Sequence, residues 1–470
     1  MVVGELAEGI DLLVIGGGPG GYTAALRAAQ LGRDVVLVER NGGESGLGGV
    51  CLHVGCIPSK ALIELSEIRA NLQRHAGRGL VLEASGVDLG AFQKAKDGMV
   101  GGLNSAIRRL MTGAGVRVVA GEASFTGPSR AIVQRQEKAS LFFEFRDAIV
   151  ATGSRPRELA ALPRDGSRVL DSTDALALAE LPRSLAVVGG GAIGLELASA
   201  FHALGSKVSV IESAGRLAPD MDPKVSNVVQ RSFRRRGIDV RCDAQVLGDD
   251  GTALALATAG REERLEVDSV VVAVGRERNL DGCGLDAVGA VVCPDGEVKV
   301  DGQRLATPHV AAIGDLTGGP ALAHKAIAEA IVAAEALAGL PSSFDPAAVP
   351  VVIYTDPEVA VAGVSEETAR REGRDVAMTT VPMSVSARSA TMGGSEGIAR
   401  ILTDPESGVV VGVQLVGRHA SELIAEGVLA IEMGATLEDL AHTIHAHPTL
   451  SEVVFEAARS GFGAPLHSPV

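Results

Sequence analysis

Two cysteines, Cys51 and Cys56, stand five positions apart within the stretch 48–60. This spacing lets the two sulfur atoms meet across one tight turn, within the Cα separation that a disulfide tolerates. Pro58 favours a helix that begins just before it, which places Cys56 at the positive end of a helix dipole, where a thiolate is stabilised. The pair predicts a redox-active disulfide. The alternatives are two buried structural cysteines or half of a zinc site, but no second cysteine pair completes a zinc tetrahedron.

A pattern of strand, glycine turn, helix and strand occurs twice in the sequence. In each copy the first glycine of a GxGxxG motif lies 23 positions before an acidic residue that ends the second strand: Gly16 before Glu39, and Gly189 before Glu212. Such glycines let backbone amides approach a pyrophosphate at a helix N-terminus, and the acid accepts hydrogen bonds from ribose hydroxyls. A single copy is also explained by a turn that binds nothing, but two copies in register predict two dinucleotide sites. Their predicted binding residues are Gly16, Gly18, Pro19, Gly20, Gly21, Glu39 and Arg40, and Gly189, Gly191, Ala192, Ile193, Gly194 and Glu212.

The surroundings of each motif indicate which dinucleotide it binds. The first copy leads directly into the cysteine helix, so its ligand must bring a redox-active ring to the disulfide, which predicts FAD. The second copy ends in Glu212, whose carboxylate repels a 2′-phosphate, and no arginine follows directly. NAD is therefore favoured over NADP. Arg216 is the one nearby residue that would hold a phosphate if it folded back.

Composition and charge limit the classes of function. The chain has 470 residues, of which 46% are hydrophobic and 3% aromatic, so several cores built from Ala, Val, Leu and Ile are expected. A net charge of -15 without a Lys/Arg block argues against nucleic acid or an anionic membrane as a partner. No apolar stretch approaches the ~20 residues of a spanning helix.

Cysteine usage indicates the compartment. One close pair in a large chain suggests a catalytic disulfide in a reducing compartment, and we expect a cytoplasmic protein. The other three cysteines, Cys242, Cys283 and Cys293, lack any paired spacing and are expected to be small buried residues.

The strand and helix patterns predict an α/β protein with two Rossmann-like dinucleotide-binding domains, one for FAD and one for NAD, and a third, α+β unit at the carboxyl end. From residue 349 the pattern is typical of antiparallel strands, which are predicted at 351–354, 359–364, 398–403 and 409–416, and this third unit is expected to contain a mixed sheet. An alanine-rich helix is predicted at 320–337. The predicted segments are 1–150 (FAD, first part), 151–275 (NAD), 276–348 (FAD and central, second part) and 349–470 (the carboxyl-terminal unit).

Several segments resemble the flavoprotein disulfide reductases, most closely the dihydrolipoamide dehydrogenases among them. The similarity spans nearly the whole chain, and it implies that residues 349–470 form a dimerisation domain. His53 is a departure, because these enzymes usually carry Asn at that position. Besides the paired glycine motifs, the segments that carry the resemblance are 48–62, 151–153, 313–315, 322–326 and 445–452.

The resemblance implies roles for the cysteines and for a histidine. Cys56 is expected to face the flavin and form the charge-transfer thiolate, and Cys51 to exchange with the substrate. His447 is expected to be the general base, oriented by the carboxylate of Glu452. A His-x-His metal site of His445 and His447 is an alternative, but it lacks a clear third ligand.

The resemblance also implies cofactor contacts. Lys60 is expected near the flavin and paired with Glu196. The alternative for each residue is an exposed charge on a helix, and the paired role is favoured. Asp315 is expected to bind the ribityl chain of FAD. The other implied FAD contacts are Gly48, Gly49, Val50, Ala123, Ala151, Thr152, Gly153, Gly314, Ala321, Leu322, Ala323 and His324, and the implied NAD contacts are Val246 and Gly275.

The implied reaction is the oxidation of dihydrolipoamide by NAD through a disulfide and FAD. The implied partners are the lipoyl domain of a 2-oxo acid dehydrogenase acyltransferase or a glycine-cleavage carrier protein, and a second copy of the chain that shares the active site. The alternatives are a reductase for another disulfide or for mercury, and a mainly structural subunit or redox sensor. Mercury chemistry usually needs a cysteine pair near the carboxyl terminus, which this sequence lacks.

Overall fold

The chain divides into two compact units, each assembled from three separate stretches of sequence. Unit 1 comprises Met1–Pro58, Phe92–Pro156 and Arg276–Asp345, and unit 2 comprises Ser59–Ala91, Arg157–Gly275 and Pro346–Val470. The two glycine motifs therefore lie in different units. The structure, a computed structural model, describes residues 7–76, 78–81, 86–258, 260–394 and 396–467.

The described residues contain both helices and strands, which alternate around each glycine motif. The elements up to residue 156 are β1 (Glu8–Ile15), α1 (Pro19–Gln30), β2 (Val35–Glu39), α2 (Gly49–Val54), α3 (Cys56–His75), α4 (Leu89–Gly113), β3 (Arg117–Ala120), β4 (Glu122–Gly127), β5 (Arg130–Arg135), β6 (Lys138–Val150) and β7 (Ser154–Pro156). Those from 157 to 275 are β8 (Val169–Leu170), α5 (Ser172–Leu176), β9 (Ser184–Val188), α6 (Ala192–Leu204), β10 (Lys207–Ile211), α7 (Pro223–Arg236), β11 (Asp239–Arg241), β12 (Ala244–Asp249), β13 (Ala253–Thr258), β14 (Arg261–Glu266) and β15 (Ser269–Val272). Those from 276 to 345 are β16 (Arg276–Arg278), β17 (Leu305–Thr307), β18 (Val310–Ala312) and α8 (Ala323–Leu337). The last are β19 (Val351–Ile353), β20 (Glu358–Gly363), α9 (Glu366–Glu372), β21 (Ala377–Pro382), α10 (Ala387–Thr391), β22 (Ile398–Thr403), β23 (Val410–Gly417), α11 (Ala420–Glu432), α12 (Leu437–His442) and α13 (Glu452–Ser460).

Unit 1 is built on a sheet with the order β17-β18-β6-β1-β2-β3. The strands from β18 to β3 run parallel, and β4 and β5 extend from β6 as an antiparallel ribbon. Alternate residues of β1 enter two cores: Leu12 faces the alanines of α1 and α8, and Leu13 faces Phe125 and Phe145. Because both faces are covered, the strands are apolar along their length. The first glycine motif follows β1 at the carboxyl edge, where open α/β sheets bind ligands.

Unit 2 repeats this arrangement with a parallel sheet of order β11-β10-β9-β15-β8. β9 ends directly before Gly189, and β10 ends directly before Glu212. An antiparallel ribbon, β12-β13-β14, belongs to the same stretch of chain. The second glycine motif and its acid therefore also meet at the carboxyl edge of a parallel sheet, as the sequence repeat predicts.

The carboxyl-terminal stretch of unit 2 contains a five-stranded sheet of order β19-β20-β23-β22-β21. Every neighbouring pair is antiparallel, which confirms the antiparallel pattern predicted for these strands, whereas the expectation of a mixed sheet is wrong. The edge strand β21 was not predicted, because its outer residues are exposed and it ends in Pro382, so it carries no buried apolar run.

The buried cores consist mainly of Ala, Val, Leu and Ile, as the composition predicts. Of the three remaining cysteines, Cys283 is buried, whereas Cys242 and Cys293 are only half-buried, so the expectation of burial is wrong for those two. Within the described ranges, no helix combines the length and the apolar composition needed to cross a membrane.

Candidate active site

The two cysteines lie on either side of a break between two helices. Cys51 is on α2, Gly55 separates the helices, and Cys56 is the first residue of α3. Cys51 is half-buried and Cys56 is exposed. The helix therefore begins where Pro58 predicts, and the backbone N–H groups of its first turn favour a thiolate at Cys56.

The glycines before the cysteines bring their loop against the first dinucleotide motif. Gly48 has a φ of +101°, and a Cβ there would lie 2.3 Å from the side chain of Leu52. Gly49 has a φ of +57°, and a Cβ there would lie 2.7 Å from the Cα of Gly18. Larger residues would push the loop away from the motif. Val50 follows as a half-exposed residue in the first turn of α2.

His53 holds the backbone that precedes the cysteine helix. Its Nε2 lies 3.0 Å from the carbonyl oxygen of Leu47. The amide of Asn104 donates to the same oxygen at 2.9 Å. The side chain of His53 therefore helps to hold this segment in place. Its position between the two cysteines in the sequence did not indicate this role.

In the first dinucleotide motif, the acid closes the glycine turn. The buried carboxylate of Glu39 accepts hydrogen bonds from the backbone N–H of Gly17 at 2.7 Å and of Asn41 at 2.8 Å. A Cβ on Gly16, whose φ is +102°, would lie 2.4 Å from the carbonyl oxygen of Ala151. The turn is thus held by its own acid, and it fits against the end of β6 only with glycine.

The second motif reproduces these contacts. Glu212 accepts from the backbone N–H of Gly190 and of Ala214, each at 2.6 Å. A Cβ on Gly189 would lie 2.3 Å from the carbonyl oxygen of Ala273. Two turns in two units therefore have the same backbone geometry and the same carboxylate position.

Both turns fit a pyrophosphate. Gly18 and Gly191 cap α1 and α6 with extended backbones, and among the described residues nothing lies within 4 Å of a Cβ built on either. Their backbone and the following helical N–H groups thus border open space, as phosphate binding at a helix N-terminus requires. The remaining predicted motif residues occupy the first turns of these helices: Pro19, Gly20 and Gly21 in α1, and Ala192, Ile193 and Gly194 in α6.

Arg216 is held away from the role of a phosphate ligand. Its Nη2 donates to Glu367 at 2.8 Å and to the carbonyl oxygen of Pro219 at 2.8 Å. Glu212 keeps its carboxylate in the second turn. The arrangement favours a ribose with free hydroxyls over one with a 2′-phosphate.

A polar network surrounds Asp315 in unit 1. The hydroxyl of Ser154 donates to Oδ2 of Asp315, and Nε of Arg276 donates to the same hydroxyl at 2.7 Å. The hydroxyl of Thr152 donates to the carbonyl oxygen of Asn279 at 2.6 Å. The sequence predicted Asp315 and Thr152 as cofactor contacts but not their hydrogen-bond partners. Ser154 lies 161 positions from Asp315, and Asn279 lies 127 positions from Thr152.

A buried ion network supports the turn that carries Asp315. Glu329 is fully buried and accepts from the backbone N–H of Gly314 at 2.7 Å and from Lys325 at 3.2 Å. Lys325 also donates to the carbonyl oxygen of Gly314 at 3.1 Å. The network ties the start of α8 to the predicted ribityl site. Lys325 lies in the segment 322–326, which carries the family resemblance. Nothing in the sequence except its helical spacing indicated a role for Glu329.

The helix after this site is shorter than predicted. α8 begins at Ala323 with Leu322 as its N-cap, so Pro320 and Ala321 precede the helix. The prediction of a helix over 320–337 is therefore wrong by three residues at its start. Ala321, an implied FAD contact, precedes the helix.

The other predicted cofactor contacts are distributed over both units. Arg40 is exposed directly after β2, and Ala123 is buried on β4. Val246 is half-buried on β12. Gly153 and Gly275 have φ values of +68° and +122°, so each forms a turn that favours glycine.

Lys60 and Glu196 form an ion pair in unit 2. Nζ of Lys60 lies 2.8 Å from Oε2 of Glu196, whose side chain is 8% exposed. The backbone N–H of Tyr354 donates to the other oxygen of Glu196 at 3.0 Å, and its ring lies 4.5 Å from the Lys60 ammonium. The structure therefore unites the predicted pair and adds Tyr354, one of only two tyrosines in the chain.

His447 and Glu452 also form a pair in unit 2. Nδ1 of His447 lies 2.8 Å from Oε1 of Glu452, and the backbone N–H of Thr449 donates to Oε2 at 2.8 Å. Burial alone would raise the pKa of Glu452, but the hydrogen bonds from His447 and Thr449 outweigh it and lower that pKa. The His447 side chain is 72% exposed. An ionised carboxylate thus orients an imidazole whose Nε2 remains available for proton transfer.

His445 belongs to a different pair. Its Nε2 lies 2.8 Å from Glu426, and this hydrogen bond, opposed by burial, raises the pKa of the His445 imidazole. In the part of the chain that the structure describes, no group of three or more His, Cys, Asp or Glu side chains is placed to hold a metal. His445 and His447 are hydrogen-bonded to different carboxylates, whereas two ligands of one metal would face the same site.

The chain is similar to known proteins over its whole length. Residues 10–330 match the family described as pyridine nucleotide-disulphide oxidoreductase, and residues 349–458 match its dimerisation domain. A dihydrolipoyl dehydrogenase from Geobacillus stearothermophilus is 41% identical over 472 residues, which cover 99% of each chain. One from Halobacterium salinarum is 43% identical over 476 residues, covering 100% of this chain and 99% of the relative.

Solved structures agree with this assignment. LpdA from Mycobacterium tuberculosis is 28% identical, with a TM-score of 0.87 over 96% of this chain and 99% of that chain. The HOCl-induced flavoprotein disulfide reductase RclA from Escherichia coli, solved as a Cu(II) complex, is 25% identical, with a TM-score of 0.84 over the same shares of the two chains. The duplicated dinucleotide folds, the cysteine pair and these similarities show that the chain belongs to the pyridine nucleotide-disulphide oxidoreductase family, whose dihydrolipoyl dehydrogenases use FAD and NAD.

Proposed function

We propose that this protein oxidises dihydrolipoamide to lipoamide and reduces NAD to NADH, the activity named for its relatives. The observation that carries the proposal is the placement of the cysteines, with Cys56 as the first residue of α3 and Cys51 on the preceding short helix. A helix start stabilises the thiolate that must leave during exchange, and the helix before it presents the second sulfur.

Thiol–disulfide exchange then proceeds at the two cysteines. One substrate thiolate attacks Sγ of Cys51, which breaks the Cys51–Cys56 bond and releases Cys56 as a thiolate. The second substrate thiolate attacks the substrate sulfur of this mixed disulfide, so the lipoamide disulfide forms and Cys51 leaves. The substrate is oxidised by two electrons and the cysteine pair is reduced by two.

His447 moves the protons. Its Nε2 takes a proton from the substrate thiol, and the resulting imidazolium is stabilised by the carboxylate of Glu452 at 2.8 Å from Nδ1. The proton of the second substrate thiol passes to the leaving sulfur of Cys51, while the imidazolium of His447 keeps the first proton. Glu452 keeps Nδ1–H in place, which leaves Nε2 as the basic nitrogen.

Two dinucleotides are assigned to the two glycine turns. We assign FAD to the turn of Gly16–Gly21 with Glu39 and Asp315, and NAD to the turn of Gly189–Gly194 with Glu212. FAD, when bound, supplies the two-electron redox chemistry that links the dithiol to NAD. The Lys60–Glu196 pair is assigned to the flavin ring, where the ammonium of Lys60 stabilises negative charge.

We further propose that the active site is shared between two copies of the chain. In this arrangement the partner subunit's His447 and the partner subunit's Glu452 act on Cys51. The match to a dimerisation domain includes both residues. Large apolar side chains in the same stretch are exposed, with Met433 at 75% and Ile444 at 96%, and a second copy would cover them.

The lipoyl group is proposed to arrive on a carrier protein. A lipoyl domain of a 2-oxo acid dehydrogenase acyltransferase or a glycine-cleavage carrier protein supplies the dithiol in this proposal. In this proposal the protein works in the cytoplasm, whose reducing environment keeps such dithiols available. The single close cysteine pair of the chain is in keeping with that compartment.

A substrate panel tests the function. Purified protein is assayed with lipoamide, glutathione disulfide and Hg(II), each with NADH and with NADPH. Turnover with lipoamide well above that with the other two acceptors supports the proposal. Turnover confined to glutathione disulfide or to Hg(II) indicates another reductase, and absence of turnover with all three indicates a structural subunit or a redox sensor.

In the same panel, kcat/KM with NADH is expected to exceed that with NADPH at least tenfold, which corresponds to about 1.4 kcal/mol. The reason is the carboxylate of Glu212 in the turn, together with the contacts that hold Arg216 to Glu367. Equal or better turnover with NADPH contradicts the assignment of NAD.

Replacing Lys60 by Met is expected to slow flavin reduction by NADH about tenfold, because it removes a cation next to the ring and leaves the buried Glu196 carboxylate without its ion pair, about 1.4 kcal/mol in barrier. Stopped-flow absorbance measures the step. Lys224→Met, a change at an exposed residue at the start of α7, is the matched control. A rate within two- to threefold, roughly, of the unmodified protein would remove Lys60 from this role.

A further inference from the structure

Unit 2 contains a cavity that lies apart from its glycine turn. The cavity has a volume of about 930 Å³ and is bordered by the carboxyl-terminal parts of α3, α6 and α7, by residues 356–357 and 396–398, and by Arg418. This volume lies within the range of small-molecule sites, about 300–1,000 Å³. Five arginines line it: Arg74, Arg231, Arg235, Arg236 and Arg418.

The cations of the cavity outnumber its anions. Asp356 accepts from Arg74 at 2.8 Å and from Arg236 at 3.0 Å, and Glu396 pairs with Arg235. These two are the carboxylates among the lining residues. Five guanidinium groups against two carboxylates leave a charge of +3 in a protein whose net charge is -15. A cationic cavity of this size on an acidic protein attracts anions.

Two of the arginines make no ion pair with a carboxylate among the described residues. Arg418 donates to the carbonyl oxygen of Met392 at 2.9 Å and to Asn71 at 2.7 Å. Arg231 donates to the carbonyl oxygen of Asn227 at 3.2 Å. Among the described residues, no carboxylate is hydrogen-bonded to either guanidinium group, so the donors of both groups are not committed to an anion.

Arg418 is also an unfavourable place for a charge. Burial first, and then the nearby cation of Arg74, lower the pKa of Arg418. The carboxylates of Asp356, Glu67 and Glu358 offset this only in part. Burial, together with the carboxylates of Glu358 and Asp356, also raises the pKa of Glu67 to about 7. A bound anion would relieve the crowding of positive charge.

The cavity is separate from the NAD turn. Gly191 caps the start of α6, whereas Ala203, near the end of that helix, lines the cavity. These positions are about 18 Å apart along the helix axis, at 1.5 Å per residue. Arg74 is similarly about 21 Å along α3 from Lys60. A ligand in the cavity therefore does not occupy the second glycine turn.

We propose that this cavity binds a multiply charged phosphate compound, an inorganic polyphosphate or a nucleoside polyphosphate. Arginine forks bind phosphate oxygens in pairs, which matches several guanidinium groups converging on one space. A single phosphate neutralises less of the charge than a chain of phosphates. The site goes beyond the oxidation of dihydrolipoamide and does not depend on it.

The test is a calorimetric titration of the FAD-loaded protein in the presence of saturating NAD, so that both dinucleotide turns are filled. Tripolyphosphate and ATP are titrated separately, at matched ionic strength, to distinguish an inorganic from a nucleotide source. Each chain is expected to bind one molecule of at least one of them. The double variant Arg231→Gln and Arg418→Gln is expected to weaken this binding at least tenfold.

The control variant carries Arg183→Gln and Arg261→Gln, which remove the same charge from exposed positions of unit 2 outside the cavity lining. It is expected to bind like the unmodified protein. The melting temperature of each variant verifies folding; if the double variant does not fold, Arg231→Gln alone, at an exposed position, takes its place. The proposal is overturned if neither compound binds in the presence of NAD, if the control loses as much affinity as the cavity variant, or if citrate binds more tightly than tripolyphosphate.

Discussion

Replacing Cys51 by Ser is expected to abolish dihydrolipoamide oxidation while preserving the long-wavelength absorbance band of a thiolate beside oxidised flavin. Cys51 is the sulfur that the substrate attacks, so its loss leaves no mixed disulfide to form, and turnover should fall by more than about a thousandfold, as after loss of other catalytic nucleophiles. Cys56 remains at the start of α3, where its thiolate is stabilised. Steady-state NADH formation and the visible spectrum of the purified protein measure the two effects.

Two further substitutions establish the order of the cysteines. Cys56→Ser is expected to lose both the turnover and the absorbance band, because it removes the thiolate itself. Cys293→Ser, at a half-buried cysteine of unit 1, is the matched control and is expected to keep both. If Cys51→Ser retains turnover, or if the band survives in Cys56→Ser and disappears in Cys51→Ser, the proposed order is wrong.

Replacing His447 by Gln is expected to lower kcat for dihydrolipoamide oxidation by about a hundredfold or more, the range of a general acid–base group. Gln keeps a similar shape but cannot take the substrate proton. The flavin spectrum should be unchanged, since His447 is assigned to the substrate thiol and not to the cofactor. Steady-state kinetics from pH 6 to pH 9, roughly the range in which an imidazole titrates, measures the effect and should show the loss of one titration in the rate profile.

The control for His447 is another exposed histidine of the same unit. His442 is 72% exposed, as His447 is, and the carboxylate of Glu438 lies 4.0 Å from its Nδ1. His442→Gln is expected to leave kcat within about twofold, whereas Glu452→Gln should lower it by an intermediate factor, about tenfold, because the imidazole loses its orienting charge. A mild defect in His447→Gln, comparable to that of His442→Gln, would remove His447 from the mechanism.

The contacts that spacing alone could predict are those between residues close together in the chain; the pair of Lys60 and Glu196, 136 positions apart, was predicted from the family resemblance. Cys51 and Cys56 are five positions apart, and the hydrogen bond between His447 and Glu452 also spans five. Each acid of the dinucleotide motifs bonds to a glycine-turn amide 22 positions away, across one strand–helix–strand unit. Within such distances the geometry of helices and parallel strands leaves few arrangements, so the spacing specifies the contact.

The fold was predictable to a similar extent. Continuous apolar runs indicated the parallel strands, because both faces of those strands are covered. The antiparallel pattern of the last sheet was predicted, but its edge strand β21 was missed, since an exposed edge has no apolar run. The late start of α8 at Ala323 shows the same limit at the scale of one helical turn.

By itself, the sequence determined the duplicated dinucleotide turns, the cysteine pair at a helix start and the histidine with its carboxylate. The tertiary structure alone decided which distant groups complete them: Tyr354 beside Lys60 and Glu196, Ser154 and Arg276 beside Asp315, and the arginines of the cavity. Local spacing constrains contacts within a few helical turns or one strand pair. Contacts across a hundred residues or more depend on how whole elements pack, which no short stretch of sequence encodes.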